Sequence, residues 1–181
     1  DVYEAAIPSP GAYMIYPAAM GIAIGEHLGL TKAELLSGIA AYRPVGSRMH
    51  LVHPGGGRVI IDDCYNANPT SDRAAIDSLA SLSGRHVCIL GDMLEMGGNA
   101  PELHRSVGEY AAAHGVDLVI TQGELAKYIA EGAGTAGAHY ADRASLLAAL
   151  PELLHEGDVV LVKASHGAHF EEISEAVKQL S

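Results

Sequence analysis

The sequence has few cysteines, few basic residues and no apolar run of membrane length, and each shortage removes a class of protein. Cys64 and Cys88 are its two cysteines. Two thiols cannot form a disulfide framework, and they suit a reducing cytosol. Lys and Arg together number 11 against 22 Asp and Glu, for a net charge of −11. No basic stretch is long enough to track a phosphate backbone, which argues against a nucleic-acid partner. The most apolar run, Ala12 to Gly25, contains Pro17 and is shorter than the ~20 residues that a bilayer-spanning helix needs. No basic segment precedes it, so it does not read as a secretory signal either. The expectation is a cytoplasmic protein without membrane insertion. A nucleophile elbow and a G-x-x-x-x-G-K-[ST] phosphate loop are also absent, which leaves no local signature of acyl-enzyme chemistry or of triphosphate cradling.

What is present describes a packed globular chain. Hydrophobic residues make up 49% and charged residues 18%, a balance that excludes disorder. A length of 181 residues has room for one compact domain and a piece of another. The chain opens on Asp1 without a start-like signal, so it reads as a fragment of something longer. Asp1 to Gly11 reads as extended, with one strand-like stretch. Residues 14–28 read as a helix stopped by Gly29, and residues 32–42 as a second helix with Thr31 as its N-cap. Arg43-Pro44-Val45-Gly46-Ser47 breaks the helical pattern, and a domain boundary is placed there, between 1–45 and 46–181.

Beyond the boundary, strands and helices alternate. Residues 49–53 and 58–63 flank Pro54-Gly55-Gly56-Gly57 and read as a hairpin. Further strands are expected at 86–90, 117–121, 138–140 and 158–163. Residues 70–83 read as a helix. Leu103, Val107, Tyr110 and Ala111 form one apolar stripe, and Phe170, Ile173, Val177 and Leu180 another. Gly84, Gly115, Gly132 and Gly157 are read as glycines that close helices. Near-continuous Val/Ile/Leu strands between helices imply a parallel sheet covered on both faces. The expected fold is therefore α/β and Rossmann-like: about six mostly parallel strands with an antiparallel edge hairpin, preceded by a short helical remnant of another domain.

Chemistry collects where the strands end. Asp62 and Asp63 close one strand, and Gly91 and Asp92 a second. Thr121, Gln122 and Gly123 follow a third, and Lys163, Ala164, Ser165 and His166 a fourth. Parallel strands bring these residues to one rim, where open α/β sheets bind their ligands. The densest run is Asp62-Asp63-Cys64-Tyr65-Asn66-Ala67-Asn68-Pro69. Each member also has an ordinary explanation. Asn68 before Pro69 is a good helix cap. Neighbouring Asp62 and Asp63 must point to opposite faces, so at most one meets a ligand. Lys163 reads equally as a surface charge, and Tyr65 as a packing residue. Convergence on one rim favours function. Gly132 to Gly137 spells G-x-G-x-x-G, but it follows a helix rather than a strand, so it is not a dinucleotide fingerprint. His50 and His53 on a strand face opposite sides. His166 and His169 at a helix start would share a face, but they lack a third ligand. No metal site is expected.

Four motifs together resemble the Mur ligase family: Ile61 to Pro69, Leu90-Gly91-Asp92-Met93-Leu94-Glu95-Met96-Gly97, Glu102-Leu103-His104, and Val160-Leu161-Val162-Lys163-Ala164-Ser165. Their order and spacing agree with that family over essentially the whole chain. The resemblance implies that residues 1–45 are the tail of a central ATPase domain and the remainder a complete C-terminal domain. It implies an ATP-dependent amide ligase of peptidoglycan synthesis, in which ATP phosphorylates the terminal carboxylate of UDP-N-acetylmuramoyl-tripeptide. The amine of D-alanyl-D-alanine then attacks the acyl phosphate, with Mg2+ neutralising the phosphates. Within it, Arg48 would contact ATP phosphates, Asp63 would hold the ribose, and Asn66 and Asn68 would line the same cleft. Asp92, Lys163 and Ser165 would lie toward the dipeptide. Catalytic residues, the phosphate loop and most of the Mg2+ site would belong to the missing central and N-terminal domains, so this polypeptide alone is expected to be inactive. Where the family often carries amide side chains against adenine, this chain has Met14 and Pro17, which cannot make such bonds. The alternatives are a stand-alone Rossmann-like module that binds a nucleotide or peptide, or a related Mur or folylpolyglutamate-type ligase.

Overall fold

Period-2 alternation of apolar side chains along buried strands divides the molecule into layers. The computed structural model describes residues 2–180, so the expectations for Asp1 and Ser181 lie outside the described residues. Two helices come first, α1 (Ile15–His27) and α2 (Lys32–Ala40). Then follow β1 (His50–Gly55), β2 (Arg58–Asp63), α3 (Pro69–Ala80), β3 (His86–Leu90), α4 (Ala100–Ala113), β4 (Leu118–Gln122), α5 (Lys127–Ala133), β5 (Gly137–Tyr140), α6 (Arg143–Leu153), β6 (Val159–Lys163) and α7 (Glu171–Gln179). The six strands form one sheet in the order β1-β2-β6-β3-β4-β5. β1 and β2 pair antiparallel, and the other neighbours run parallel.

Ile61, Cys88, Leu90, Val119 and Leu161 point to one side, where they pack with Ile76 and Leu79 of α3, Val107 and Ala111 of α4, and Ile129 of α5. Ile60, Val87, Ile89, Val160 and Val162 point to the other, against Leu146 and Leu150 of α6 and Ile173 and Val177 of α7. These residues are buried. Burying each such side chain contributes on the order of 1.5–3 kcal/mol.

The helix starts follow local chemistry. Thr31 and Glu34 exchange a capping box that opens α2. Asn68 opens α3 in the same way: its Oδ1 accepts the Ser71 N–H at 2.9 Å, and its own N–H donates to Ser71 Oγ at 3.1 Å, with Pro69 at the first helical position. Four expectations change. The strand-like stretch before Gly11 is not a strand, because no strand of the sheet lies beside residues 2–10. The second helix stops at Ala40, and the helix expected to reach residue 83 ends at Ala80. Gly132 does not close a helix but lies inside α5, while Gly134 caps it at φ 61°. A Cβ on Gly132 would sit 2.2 Å from the Arg105 carbonyl oxygen of α4, and one on Gly108 would sit 1.9 Å from that of Ile129. Here glycine allows two helix backbones to touch.

α1 carries an apolar stripe outward: Tyr16, Met20, Ile24 and Leu28, four residues apart, are all exposed, with Ile15 beside them. No helix among the described residues is long and apolar enough to cross a membrane.

One loop of the rim is pinned from below. Buried His104 on α4 accepts the Met93 N–H through Nε2 at 2.9 Å, and its Nδ1 bonds the Ala100 carbonyl at 2.7 Å. Only the neutral imidazole with its proton on Nδ1 satisfies both partners. Burial pushes the His104 pKa down, against a smaller pull upward from the Ala100 carbonyl and Asp92.

Two outcomes follow from this packing. Gly108→Ala should destabilise the fold by about 1–3 kcal/mol through overpacking at the α4–α5 contact, read as a lower urea midpoint. His104 favours its neutral form when folded, so its contribution to stability is complete above the ordinary imidazole pKa of about 6.5 and declines as pH falls below it. Melting temperatures between pH 7.5 and 5.5 should therefore fall more steeply for the native chain than for His104→Gln; equal slopes would remove this role.

Candidate functional site

The register of β2 against β6 places the central pair of the rim. Asp62 lies opposite Val162 and Asp63 opposite Lys163, so Asp63 and Lys163 leave the sheet on the face of Ile61, toward α3. Asp62 leaves with Ile60 toward α7, where Lys178 Nζ donates to its Oδ2 at 2.8 Å. Burial raises the Asp62 pKa, but Lys178, Ser174 and Cys64 together outweigh it, and the net result is a lowering. Of the two adjacent carboxylates, Asp63 alone reaches the cleft.

Lys163 is not the surface charge that a strand end allows. Its side chain is 2% exposed. The ammonium donates to Asp63 Oδ2 at 2.5 Å and to the Asn66 carbonyl at 2.6 Å, and it lies 3.8 Å from Asp72 Oδ1. Asp72, on the first turns of α3, is 1% exposed. Burial pushes its pKa up to about 7, opposed by Lys163 and reinforced by Asp63. Sequence reasoning missed Asp72, although a signal was there: it stands on the buried stripe of α3 with Ala75, Ile76 and Leu79, where a lone carboxylate needs a partner.

Above this pair opens a cleft of about 510 Å³. Arg48, Asp63, Asn66, Asn68 and Lys163 all line it, so five of the seven residues singled out from the sequence meet there. Asp63 is 13% exposed. Its Oδ1 accepts the Met49 N–H at 3.0 Å, and a carboxylate with about four lone-pair positions keeps capacity for further donors. Met49 is held at φ 49°, a left-handed backbone that costs a non-glycine residue on the order of 1–3 kcal/mol. Its neighbour Arg48 lies over the Tyr65 ring, 3.5 Å from guanidinium carbon to centroid, and the same ring stacks on His166 at 5.5 Å. Tyr13, Met14 and Tyr42 also line the cleft. Burial first, then Asp63 and Tyr42, push the Tyr13 hydroxyl up to about 12, so it remains a donor at neutral pH. Asn68 both lines the cleft and caps α3. The amide of Asn66 faces the same space. A second groove of about 330 Å³, between α1 and α2, is lined mostly by apolar residues such as Ile22, Leu35 and Ile39.

Asp92 and Ser165 do not line this cleft, and both bond backbone groups of neighbouring loops. The Asp92 carboxylate accepts the N–H groups of Glu124, Leu125 and Ala126. The Ser165 hydroxyl oxygen accepts the Leu94 N–H at 2.9 Å, and its own N–H bonds the Asp92 carbonyl. Both residues tie rim loops together. His166 and His169 do not share a helix face: His166 begins a one-turn 3-10 helix and His169 is left-handed at φ 52°. Their rings are tilted, 6.3 Å apart. Among the described residues no group of three His, Cys, Asp or Glu is placed to hold a metal ion.

The chain as a whole is similar to known proteins. The family described as "Mur ligase, glutamate ligase domain" matches residues 47–166. The UDP-N-acetylmuramoyl-tripeptide–D-alanyl-D-alanine ligase of Bacillus subtilis is 36% identical over 174 residues, which cover 92% of this chain and 38% of that protein. A crystal structure of MurF from Acinetobacter baumannii superposes with a TM-score of 0.88 at 26% identity, over 97% of this chain and 40% of that one. The MurF ligase of Thermotoga maritima, crystallised in complex with ADP, superposes at 0.76 with 25% identity, over 87% of this chain and 36% of that one. The chain thus spans about two fifths of the length of these relatives. The match over residues 47–166 makes this chain a member of the Mur ligase family, carrying its glutamate ligase domain.

Proposed function

We propose that this chain works as the C-terminal part of an ATP-dependent ligase that joins D-alanyl-D-alanine to UDP-N-acetylmuramoyl-tripeptide in peptidoglycan synthesis, in the cytoplasm. The observation that carries the reading is the convergence of Arg48, Asp63, Asn66 and Asn68 on one cleft in a chain of this family. The volume of about 510 Å³ lies in the range of sites that enclose a small molecule, about 300–1,000 Å³. Further support is the ADP carried by the Thermotoga maritima relative.

In this reading ATP supplies, when bound, the phosphoryl group that activates the peptide carboxylate. The chain's own residues bind and orient. The Asp63 carboxylate accepts from the ribose hydroxyls, because its remaining lone pairs face the cleft. Arg48 turns from the Tyr65 ring to the phosphates and supplies local positive charge in a chain whose net charge is −11. Asn66 contributes its amide, and Asn68 orders the start of α3. Tyr13 and Tyr42 offer aromatic surface to the base where Met14 and Pro17 offer no hydrogen bond. Asp92 and Ser165 shape the rim toward the dipeptide, with Asp92 anchored on three backbone N–H groups and Ser165 on the Leu94 N–H. Mg2+ and the phosphate loop belong to the domains outside this chain, and residues 1–45 form the tail of the central one. The outward apolar stripe of α1 supports that boundary, because a face of this kind marks a surface made to be covered.

The full-length protein should form ADP in a reaction dependent on both peptide substrates, and residues 1–181 alone should not. Asp63→Ala in the full-length protein should raise the KM for ATP about tenfold or more, the scale of a lost hydrogen bond to a charged group. An unchanged KM removes the ribose role. Asn68→Ser keeps the cap. A raised KM for ATP in that variant, with an unchanged melting temperature, would separate ligand contact from capping.

A further inference from the structure

We infer that Lys163 is a positioning residue: it holds the Asp63 carboxylate and the Asn66 carbonyl together and so sets the geometry of the cleft without touching what binds there. The inference rests on the nucleotide reading of the cleft.

An ammonium group has three N–H donors and no acceptor. In Lys163 one donor goes to Asp63 Oδ2 at 2.5 Å, a second to the Asn66 carbonyl at 2.6 Å, and the third side of the group faces Asp72 Oδ1 at 3.8 Å. The third N–H has no partner within hydrogen-bond distance, and at 2% exposure the side chain gives a ligand little access to it. Asp63 ends β2 and Asn66 lies midway along the turn to α3, so one cation fixes both the start and the middle of that turn. The effect extends further. Asp63 is also the acceptor for the Met49 N–H at 3.0 Å, and Met49 stands at φ 49° directly after Arg48. A carboxylate free to rotate would release that N–H, and the left-handed turn that aims Arg48 would lose its anchor. The Lys163 cation thus acts on both the ribose-facing and the phosphate-facing groups through Asp63. Asp72 bounds the third side of the ammonium at 3.8 Å, a buried carboxyl behind the pair.

The test is a double-mutant cycle in the full-length protein, with steady-state kinetics for all three substrates. Asp63→Asn and Lys163→Met should each raise the KM for ATP about tenfold. The double variant should lie within about threefold of either single, because both remove the same arrangement. The KM values for UDP-N-acetylmuramoyl-tripeptide and D-alanyl-D-alanine should stay within about twofold of the native values. A double variant with multiplied effects, about a hundredfold, would mean that Lys163 acts on the ligand independently and would overturn the inference. So would a Lys163→Met variant whose KM for ATP is native, or one in which all three KM values rise together. A native KM for ATP in Asp63→Asn would instead sink the nucleotide reading itself, and the two failures are therefore distinguishable. Circular dichroism melting accompanies each variant. If Lys163→Met does not fold, the same cycle runs in an Asp72→Asn background, which removes one of the two negative neighbours along with the cation.

Discussion

One buried cation, set between the part-buried Asp63 and the buried Asp72, organises the working end of this molecule. Removing charges from water is costly, on the order of several kcal/mol per ion, and Coulomb attraction offsets it only when the geometry is good and the remaining donors and acceptors are bonded. Lys163 meets that condition with a carboxylate at 2.5 Å and a carbonyl at 2.6 Å. The arrangement is possible because β2 and β6 pair in parallel with Asp63 opposite Lys163. A slip of one residue would put Asp62 there instead and turn the whole polar set to the other face of the sheet. The apolar register of Val59-Ile60-Ile61 against Val159-Val160-Leu161 therefore fixes the charge geometry at the strand ends. Packing positions the chemistry, and the chemistry adds little to packing.

The fold was legible where hydrophobic pattern and turn chemistry agree. Continuous Val/Ile/Leu runs separated by amphipathic helices leave few options besides a covered parallel sheet, and the glycine-rich turn after Pro54 marks the antiparallel edge. The misreadings came where a residue has more than one local use. Gly132 resembles a helix stop, yet it is there because a neighbouring helix backbone comes within a side chain's reach. That requirement belongs to a pair of elements distant in sequence, and no local pattern records it. The extended opening segment had strand-like composition but no edge to join.

The site was legible to a different depth. Strand-end polarity located the rim, and alternation chose between Asp62 and Asp63. What composition could not supply was the state of each polar group after folding. Lys163, Asp92 and Ser165 look like ligand contacts in the sequence because they are polar and sit at the right end of the sheet. Folded, each is also bonded within the protein: Asp92 to backbone N–H groups, Ser165 to the Leu94 N–H, and Lys163 to Asp63 and the Asn66 carbonyl. Asp72 was overlooked for the converse reason: an acidic residue early in a helix is ordinary, and its burial emerges only when the face of α3 is matched to the sheet. Sequence marks where polar groups gather, and three-dimensional structure shows which of them remain free.

The outward stripe on α1 has a colloidal consequence. Ile15, Tyr16, Met20, Ile24 and Leu28 are exposed on one helix, and water gains entropy whenever two such surfaces meet. Against that attraction stands long-range repulsion from a net charge of −11. That repulsion is shortened by salt and vanishes near the isoelectric point of about 5.2. The acidic balance that leaves the cleft short of positive charge thus also opposes contact between the uncovered apolar faces of two copies.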